Sequence, residues 1–196
     1  ERFFKAAEHA ITTQLEAFYA RNIDGTGPGH VSVFALASIP LLVLFGRHLS
    51  DKVATRYFHR HRSTDNWQWS FATKSIQLGT RQIQQGNDGI RVGIVVSMSG
   101  PIERGSLPRD INEAASIYEI FVEGAHPNLR LLKSEEDVRH FREVYAALLA
   151  RIGVAHPDCR ELHLFLATPP PVAIMCGVER LPKVQPALVL YDNVAN

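Results

Sequence analysis

Val31-Ser32-Val33-Phe34-Ala35-Leu36-Ala37-Ser38-Ile39-Pro40-Leu41-Leu42-Val43-Leu44-Phe45-Gly46 decides how this chain is read. The run from Val31 to Ala37 is almost continuously apolar and rich in β-formers, the pattern of a strand buried on both faces in a parallel sheet. Ser38 ahead of Pro40 marks a helix start, and Gly46 a helix stop. The segment therefore predicts strand, turn, helix. The same order returns near the other end of the chain. Leu166-Ala167-Thr168-Pro169-Pro170 repeats Leu36-Ala37-Ser38-Ile39-Pro40, 130 positions later, and Gly177 closes the second helix. Each copy then runs into another apolar segment, Val53–His59 in the first and Ala187–Tyr191 in the second. Strands alternating with helices predict an α/β fold of mostly parallel sheet, built from two related Rossmann-like halves.

Outward from these anchors, Phe4, Ala7, Ile11, Leu15 and Phe18 step by three and four, which predicts an amphipathic helix over 2–20. Gly25-Thr26-Gly27-Pro28-Gly29 breaks the chain. No Lys-Ser/Thr follows it and a strand comes next, so it reads as a connector and not as a phosphate loop. Residues 67–73 alternate as a strand covered on one face, 79–90 are polar and glycine-rich and read as loop, and 91–98 form a buried strand. A loop over 99–110 leads to a strand over 116–122. Ser134, with Glu135, Glu136 and Asp137 behind it, opens a helix whose Val138, Phe141, Tyr145, Leu148 and Ile152 share one face. The division expected is a helix and connector over 1–29, then halves over about 30–110 and 111–196.

Composition narrows the function. The 196 residues carry 21 Lys and Arg against 20 Asp and Glu, a net charge of +1. That is the wrong balance for a protein coating duplex DNA, but leaves room for a small anion held by a few local cations. The two cysteines make neither a CxxC nor a metal-like cluster, so no disulfide framework is expected and the cytoplasm is the default compartment. The most apolar stretch, Val31–Phe45, is interrupted by Ser32, Ser38 and Pro40 and falls short of the ~20 residues of a spanning helix. The opening Glu1-Arg2-Phe3, without Met, reads as a piece of a longer protein.

In an open parallel sheet, ligands sit beyond the carboxyl ends of the strands. The repeat places Ser38 and Thr168 there, each with a helix start (Pro40, Pro170) whose N–H groups favour an anion. Two such starts facing one pocket suit a ligand with repeated phosphates; the alternative is that both hydroxyls only cap their helices. His59-Arg60-His61-Arg62 is the one dense basic cluster. Arg60 and Arg62 can meet a phosphate or a guanine edge, whereas the His pair lacks a third metal ligand. Trp67 and Trp69 share a face, so one stacking a base and one in the core is the reading; Lys74 lies on the opposite face, within reach of a phosphate. Ser97 and Ser99 end a buried strand and offer a ligand wall, without the Gly-x-Ser-x-Gly spacing of a nucleophile elbow. Tyr191 ends the last strand and either contacts a base or closes the sheet. No residue is assigned a catalytic role, and no cofactor or metal is expected.

The segment His30–Lys52, the pattern His59-Arg60-His61-Arg62 followed by Trp67-Gln68-Trp69, and Leu164-Phe165-Leu166-Ala167-Thr168-Pro169-Pro170 resemble the SAVED domain family. The likeness runs from about His30 to the end. It implies two fused CARF-like (CRISPR-associated Rossmann) units. It further implies a bacterial anti-phage (CBASS) sensor that binds a cyclic dinucleotide such as cyclic GMP-AMP, or a cyclic trinucleotide. Such sensors are usually fused to an effector such as an HNH endonuclease, absent here, through which alone DNA would be touched. Ligand-driven self-association would switch the effector on, with no membrane involved. Pro169-Pro170-Pro171 departs from the simpler sequence expected in the second copy. The competing readings are a ring nuclease that cleaves its cyclic ligand, and a generic nucleotide or sugar-phosphate module.

Overall fold

A computed structural model describes residues 2–20, 28–49, 53–62, 64–70, 75–181 and 184–192. The quoted repeat forms in the expected order, but its first strand is not buried on both faces: within Val31–Ala37 only Val33 is buried. Strand β1 (His30–Phe34) leads to helix α2 (Ile39–His48) and strand β2 (Ala54–Phe58). Its counterpart is β6 (Glu161–Ala167), α5 (Pro170–Val178) and β7 (Ala187–Leu190). Ahead of them lies α1 (Arg2–Ala20), amphipathic as its spacing predicts but without a buried residue. β1 and β2 pair in parallel as a separate two-stranded sheet. The second sheet has five strands in the order β3-β5-β4-β6-β7, where β3 is Leu78–Gln84, β4 Arg91–Ser97 and β5 Ser116–Val122. Only β3 runs antiparallel to its neighbour. The architecture is mixed α/β with mostly parallel strands. Among the described residues no helix is long and apolar enough to cross a membrane.

The two helix copies pack on each other through their closing glycines. A Cβ on Gly46 would sit 2.1 Å from the Ile174 carbonyl oxygen; one on Gly177 would sit 1.9 Å from that of Val43. The contact is reciprocal, Gly46 against Ile174 and Gly177 against Val43, so the repeated sequence meets itself across a local pseudo-two-fold relation. Only glycine allows so close a backbone approach.

The five-stranded sheet is covered on both faces. Val92, Ile94, Val96, Leu162 and Leu164 point to α5 and to α4 (Glu135–Ala155), while Val95 and Phe165 point to α3 (Arg109–Ala114) and Leu107. α4 starts on a capping box. The Asp137 N–H donates to Ser134 Oγ (3.2 Å), and the Ser134 N–H donates back to Asp137 Oδ2 (2.9 Å). The same buried carboxylate accepts from the Lys133 and Ile76 N–H groups, tying the approach to β3 onto the helix.

Four further expectations are corrected. Residues 79–90 are not all loop, because β3 occupies most of the first half. It is an edge strand, and its polar residues are edge chemistry: Arg81 pairs with Glu119 at 2.6 Å and lies over the Phe121 ring. Residues 67–70 form no strand, for a tight turn closed by the His61–Asn66 bridge delivers them against β2 instead of beside it; 71–74 fall outside the described residues. The 99–110 loop runs into the short α3. The sheets do not part at residue 110: β3 and β4 precede that point yet pair with β5 and β6, since the apolar β4 occupies the centre of the larger sheet.

Candidate functional site

Beyond β1 and β6 the starts of α2 and α5 face one cleft of about 430 Å³. Leu36 and Ile39 line it from the first copy, Thr168, Pro169 and Pro170 from the second. The segment after β2 adds His59, Arg60, Arg62 and Asp65, and Ser99 and Leu129 complete the wall. A second cleft of about 410 Å³ adjoins it, sharing Arg62 and Leu129 and adding Arg130 and Lys133.

The hydroxyls at the repeat-related positions do not cap. Ser38 is the N-cap residue of α2 without a side-chain cap bond, and the N-cap of α5 is Pro169, one residue beyond Thr168. Ser38 Oγ and Thr168 Oγ1 are both buried without a hydrogen-bond partner among the described residues. The anion capacity expected of the two starts is unequal. Pro169, Pro170 and Pro171 have no N–H, and the next two, of Val172 and Ala173, both donate to the Pro169 carbonyl. The α5 start therefore has no free backbone donor in its first turn, whereas α2 lacks only the N–H of Pro40.

His59 is buried, its Nδ1 has no partner, and burial, reinforced by His61 and Arg62, pushes its imidazole down to about 4. Burial lowers His61 as well. Both rings are neutral at pH 7. They stand edge-to-face with centroids 5.0 Å apart, and no group of three metal-ligating side chains occurs among the described residues. Arg60 donates from Nε (3.0 Å) and Nη2 (2.6 Å) to Asp65 Oδ1, a pairing the sequence reading did not include. Asp65 holds a left-handed backbone (φ 50°) to reach it. Arg62 has no ion-pair partner among the described residues.

Of the residues singled out from sequence, Arg60, Arg62, Ser99, Thr168 and Pro170 line this cleft; Ser38 and the buried Pro40 are not among its lining residues, although their neighbours Leu36 and Ile39 are. The others stand elsewhere. The Trp69 indole N–H donates to the Tyr57 carbonyl (3.1 Å), and its ring lies against His59 and His61, so Trp69 backs the cleft instead of opening into it. Trp67 meets Phe34 edge-on at 5.4 Å beside the stacked Phe34–Phe58 pair. Ser97 points with Val95 to the other face of the sheet, where its hydroxyl donates to Glu119 Oε1 (3.1 Å). Tyr191 is on that face too, stacked on Phe165 at 4.5 Å with its hydroxyl bonded to His163 Nδ1 (2.8 Å), beside a different cleft. Lys74 lies outside the described residues. Sequence reasoning did not assign Leu36, Ile39, His59, Asp65, Leu129 or Pro169 to this cleft, nor Arg130 and Lys133 to its neighbour. The available signal was the cation-bearing Arg130-Leu131-Leu132-Lys133 directly before the α4 cap.

Residues 11–196 match the family described as the SMODS-associated and fused to various effectors sensor domain, SAVED. No curated protein matches the chain by sequence. Among solved structures, the chain is similar to the Acinetobacter baumannii Cap4 SAVED/CARF-domain containing receptor. With the cyclic trinucleotide 2'3'3'-cAAA, that receptor aligns with a TM-score of 0.62 at 14% identity, over 95% of this chain and 40% of the receptor. Its structure with 3'3'3'-cAAA gives 0.57 at 15%, over 94% and 40%. A third structure of the receptor gives 0.54 at 17%, over 94% and 37%. The chain thus spans about two fifths of those receptors' length, and the likeness is one of fold. With the match covering nearly all its length, this chain belongs to the SAVED sensor-domain family.

Proposed function

We propose that this chain senses a cyclic oligonucleotide in the cleft between the starts of α2 and α5. The observation that carries the reading is the buried Thr168 hydroxyl in the wall of this cleft, unpartnered among the described residues; its repeat-related counterpart Ser38 carries a second such hydroxyl, in sequence between the lining residues Leu36 and Ile39. The Thr168 hydroxyl shares the cleft wall with Arg62, which makes no ion pair among the described residues. A buried polar atom without a partner is costly and calls for a ligand that satisfies it. The fold likeness to receptors solved with cyclic trinucleotides supports the ligand class. Arg60, Arg62, Ser99, Thr168 and Pro170, with Ser38 and Pro40, are the proposed binding set.

In this reading the chain is a non-enzymatic sensor in the cytoplasm of a bacterium. It acts in anti-phage defence on a fused effector, of which an HNH endonuclease is one form, through ligand-driven self-association. The two related units are centred on β1–α2–β2 and β6–α5–β7, after an N-terminal helix and connector. A thermal-shift panel of cyclic di-, tri- and tetranucleotides against linear counterparts tests this. The expected result is a rise in Tm with one ring size and none with its linear form; equal shifts with linear nucleotides would favour a generic nucleotide module. Chromatography of the incubated ligand separates the sensor from a ring nuclease, for which product would accumulate.

A further inference from the structure

The two adjoining clefts differ in chemistry. In the cleft at the helix starts, the polar groups from α5 and β2 are neutral: the Thr168 hydroxyl and the uncharged His59 ring, each with a buried atom lacking a partner. Among the described residues, the full charges in its wall besides Arg62 are Arg60 and Asp65, which neutralise each other. The first turn of α5 has no free N–H to offer an anion. Leu36, 60% exposed, and Leu129, 48% exposed, stand at its walls with Pro169 and Pro170. Such walls suit a flat π-face, and a hydroxyl and a neutral imidazole together can donate to and accept from a base edge.

The neighbouring cleft is the converse. Arg62, Arg130 and Lys133 line it without an Asp or Glu in its wall, and none of the three makes an ion pair among the described residues. It is also built, not incidental. The Asn128 N–H donates to the Met98 carbonyl beyond β4 (2.9 Å), and Asn128 Oδ1 accepts from the Arg130 N–H (2.9 Å). The Lys133 carbonyl accepts from Ser70 N–H (2.9 Å), while its own N–H is held by Asp137. These bonds fix the backbone from which the cations project.

We propose that the site divides its ligand: a nucleobase enters the helix-start cleft against Thr168 and His59, and the phosphates lie in the adjoining cleft on Arg62, Arg130 and Lys133. The shared residues Arg62 and Leu129 make the two clefts one continuous surface, so a single ring reaches both. The inference rests on the nucleotide reading above and adds which end of the ligand goes where. Base identity is then read by uncharged groups and is insensitive to salt, whereas overall affinity is carried by screened charges.

Calorimetric titration with 3'3'3'-cyclic triadenylate, or the ring that binds tightest in the panel above, tests the division at low and high salt. Arg130→Gln and Lys133→Gln, both exposed, are expected to weaken binding about 3- to 10-fold at low salt and to flatten its salt dependence. Thr168→Val and Leu129→Ala are expected to weaken binding by roughly 5- to 30-fold with the wild-type salt dependence intact. Thr168→Val also narrows the preference between rings carrying different bases. Leu129→Ala, on an exposed residue, serves where Thr168→Val fails to fold. Cation variants with wild-type salt dependence, or a Leu129 variant that flattens it, would overturn the division while leaving a nucleotide sensor. A wild-type protein that binds no ring in the panel would remove the nucleotide reading and this inference together.

Discussion

His59 shows how one buried side chain links stability to pH. Its imidazole is held at about 4, against 6.5 for a free ring, by burial and by the facing His61 and Arg62. The folded state therefore binds fewer protons than the unfolded one below pH 6.5. The neutral ring's contribution is fully present above that value and is lost progressively as pH falls from about 6.5 to 4, by up to about 3 kcal/mol. Denaturant unfolding at pH 7 and pH 5 is expected to show this loss in the wild type and a smaller one in His59→Gln; equal losses would show that His59 is not the group responsible. Asp137 is the second residue on which much rests, since one buried carboxylate accepts three backbone N–H groups, one of which closes the capping box. Asp137→Ala is expected to lower unfolding free energy by about 2–3 kcal/mol at pH 7. A loss below ~0.5 kcal/mol would mean that the N–H groups find water instead. This cap was legible, because Ser134 and Asp137 stand at cap spacing. The missing partner of Thr168 was not, because a hydroxyl before a helix reads as a cap until the prolines that displace it are placed.

At the scale of elements, the repeat was legible because it is written in apolar residues. The apolar runs Val31–Ala37 and Leu162–Ala167 read as strands with Pro-started helices behind them; burial holds for β6, whereas β1 pairs only with β2 and leaves Phe34 and Leu36 exposed. β3 was not, because an edge strand spends its sequence on Thr80, Arg81, Gln82 and Gln84, the residues of a loop. The alternation of Trp67 and Trp69 misled for the opposite reason: each Trp finds its own packing partner without a strand between them. Part of the cleft lining was within reach of sequence, since Arg60, Arg62, Ser99, Thr168 and Pro170 follow strands. Arg130 and Lys133 were not, being brought there by a loop pinned to the end of β4. What the helix pair adds is a strict steric demand. Gly177→Ala would place a methyl 1.9 Å from the Val43 carbonyl and 2.7 Å from the Arg47 nitrogen, both backbone atoms. The helices would have to separate, and a loss of about 3 kcal/mol in denaturant unfolding is expected. A variant as stable as wild type would show that α2 and α5 are not in reciprocal contact.

For the whole molecule, α2 and α5 join the two-stranded and five-stranded sheets at the place where the cleft opens, so a ligand there touches both units. A sensor without chemistry of its own can act only by changing how copies or domains sit together. In the proposed reading, a ligand that bridges one copy to the next makes a heterologous contact, which builds rings or filaments, whereas a two-fold contact closes at a dimer. Sedimentation of a full-length fusion is expected to show a larger species with ligand than without. Unchanged assembly with full effector activation would refute self-association as the switch. The claim beneath all of this is that the cleft between the helix starts holds a cyclic oligonucleotide. Calorimetric titration of Leu36→Glu beside wild type tests it most directly. Leu36 is 60% exposed and lines the cleft, so a carboxylate there leaves the fold intact while occluding and repelling an anionic ring. The account predicts measurable binding of one cyclic oligonucleotide to the wild type and none to Leu36→Glu at unchanged Tm; equal binding by both would contradict it.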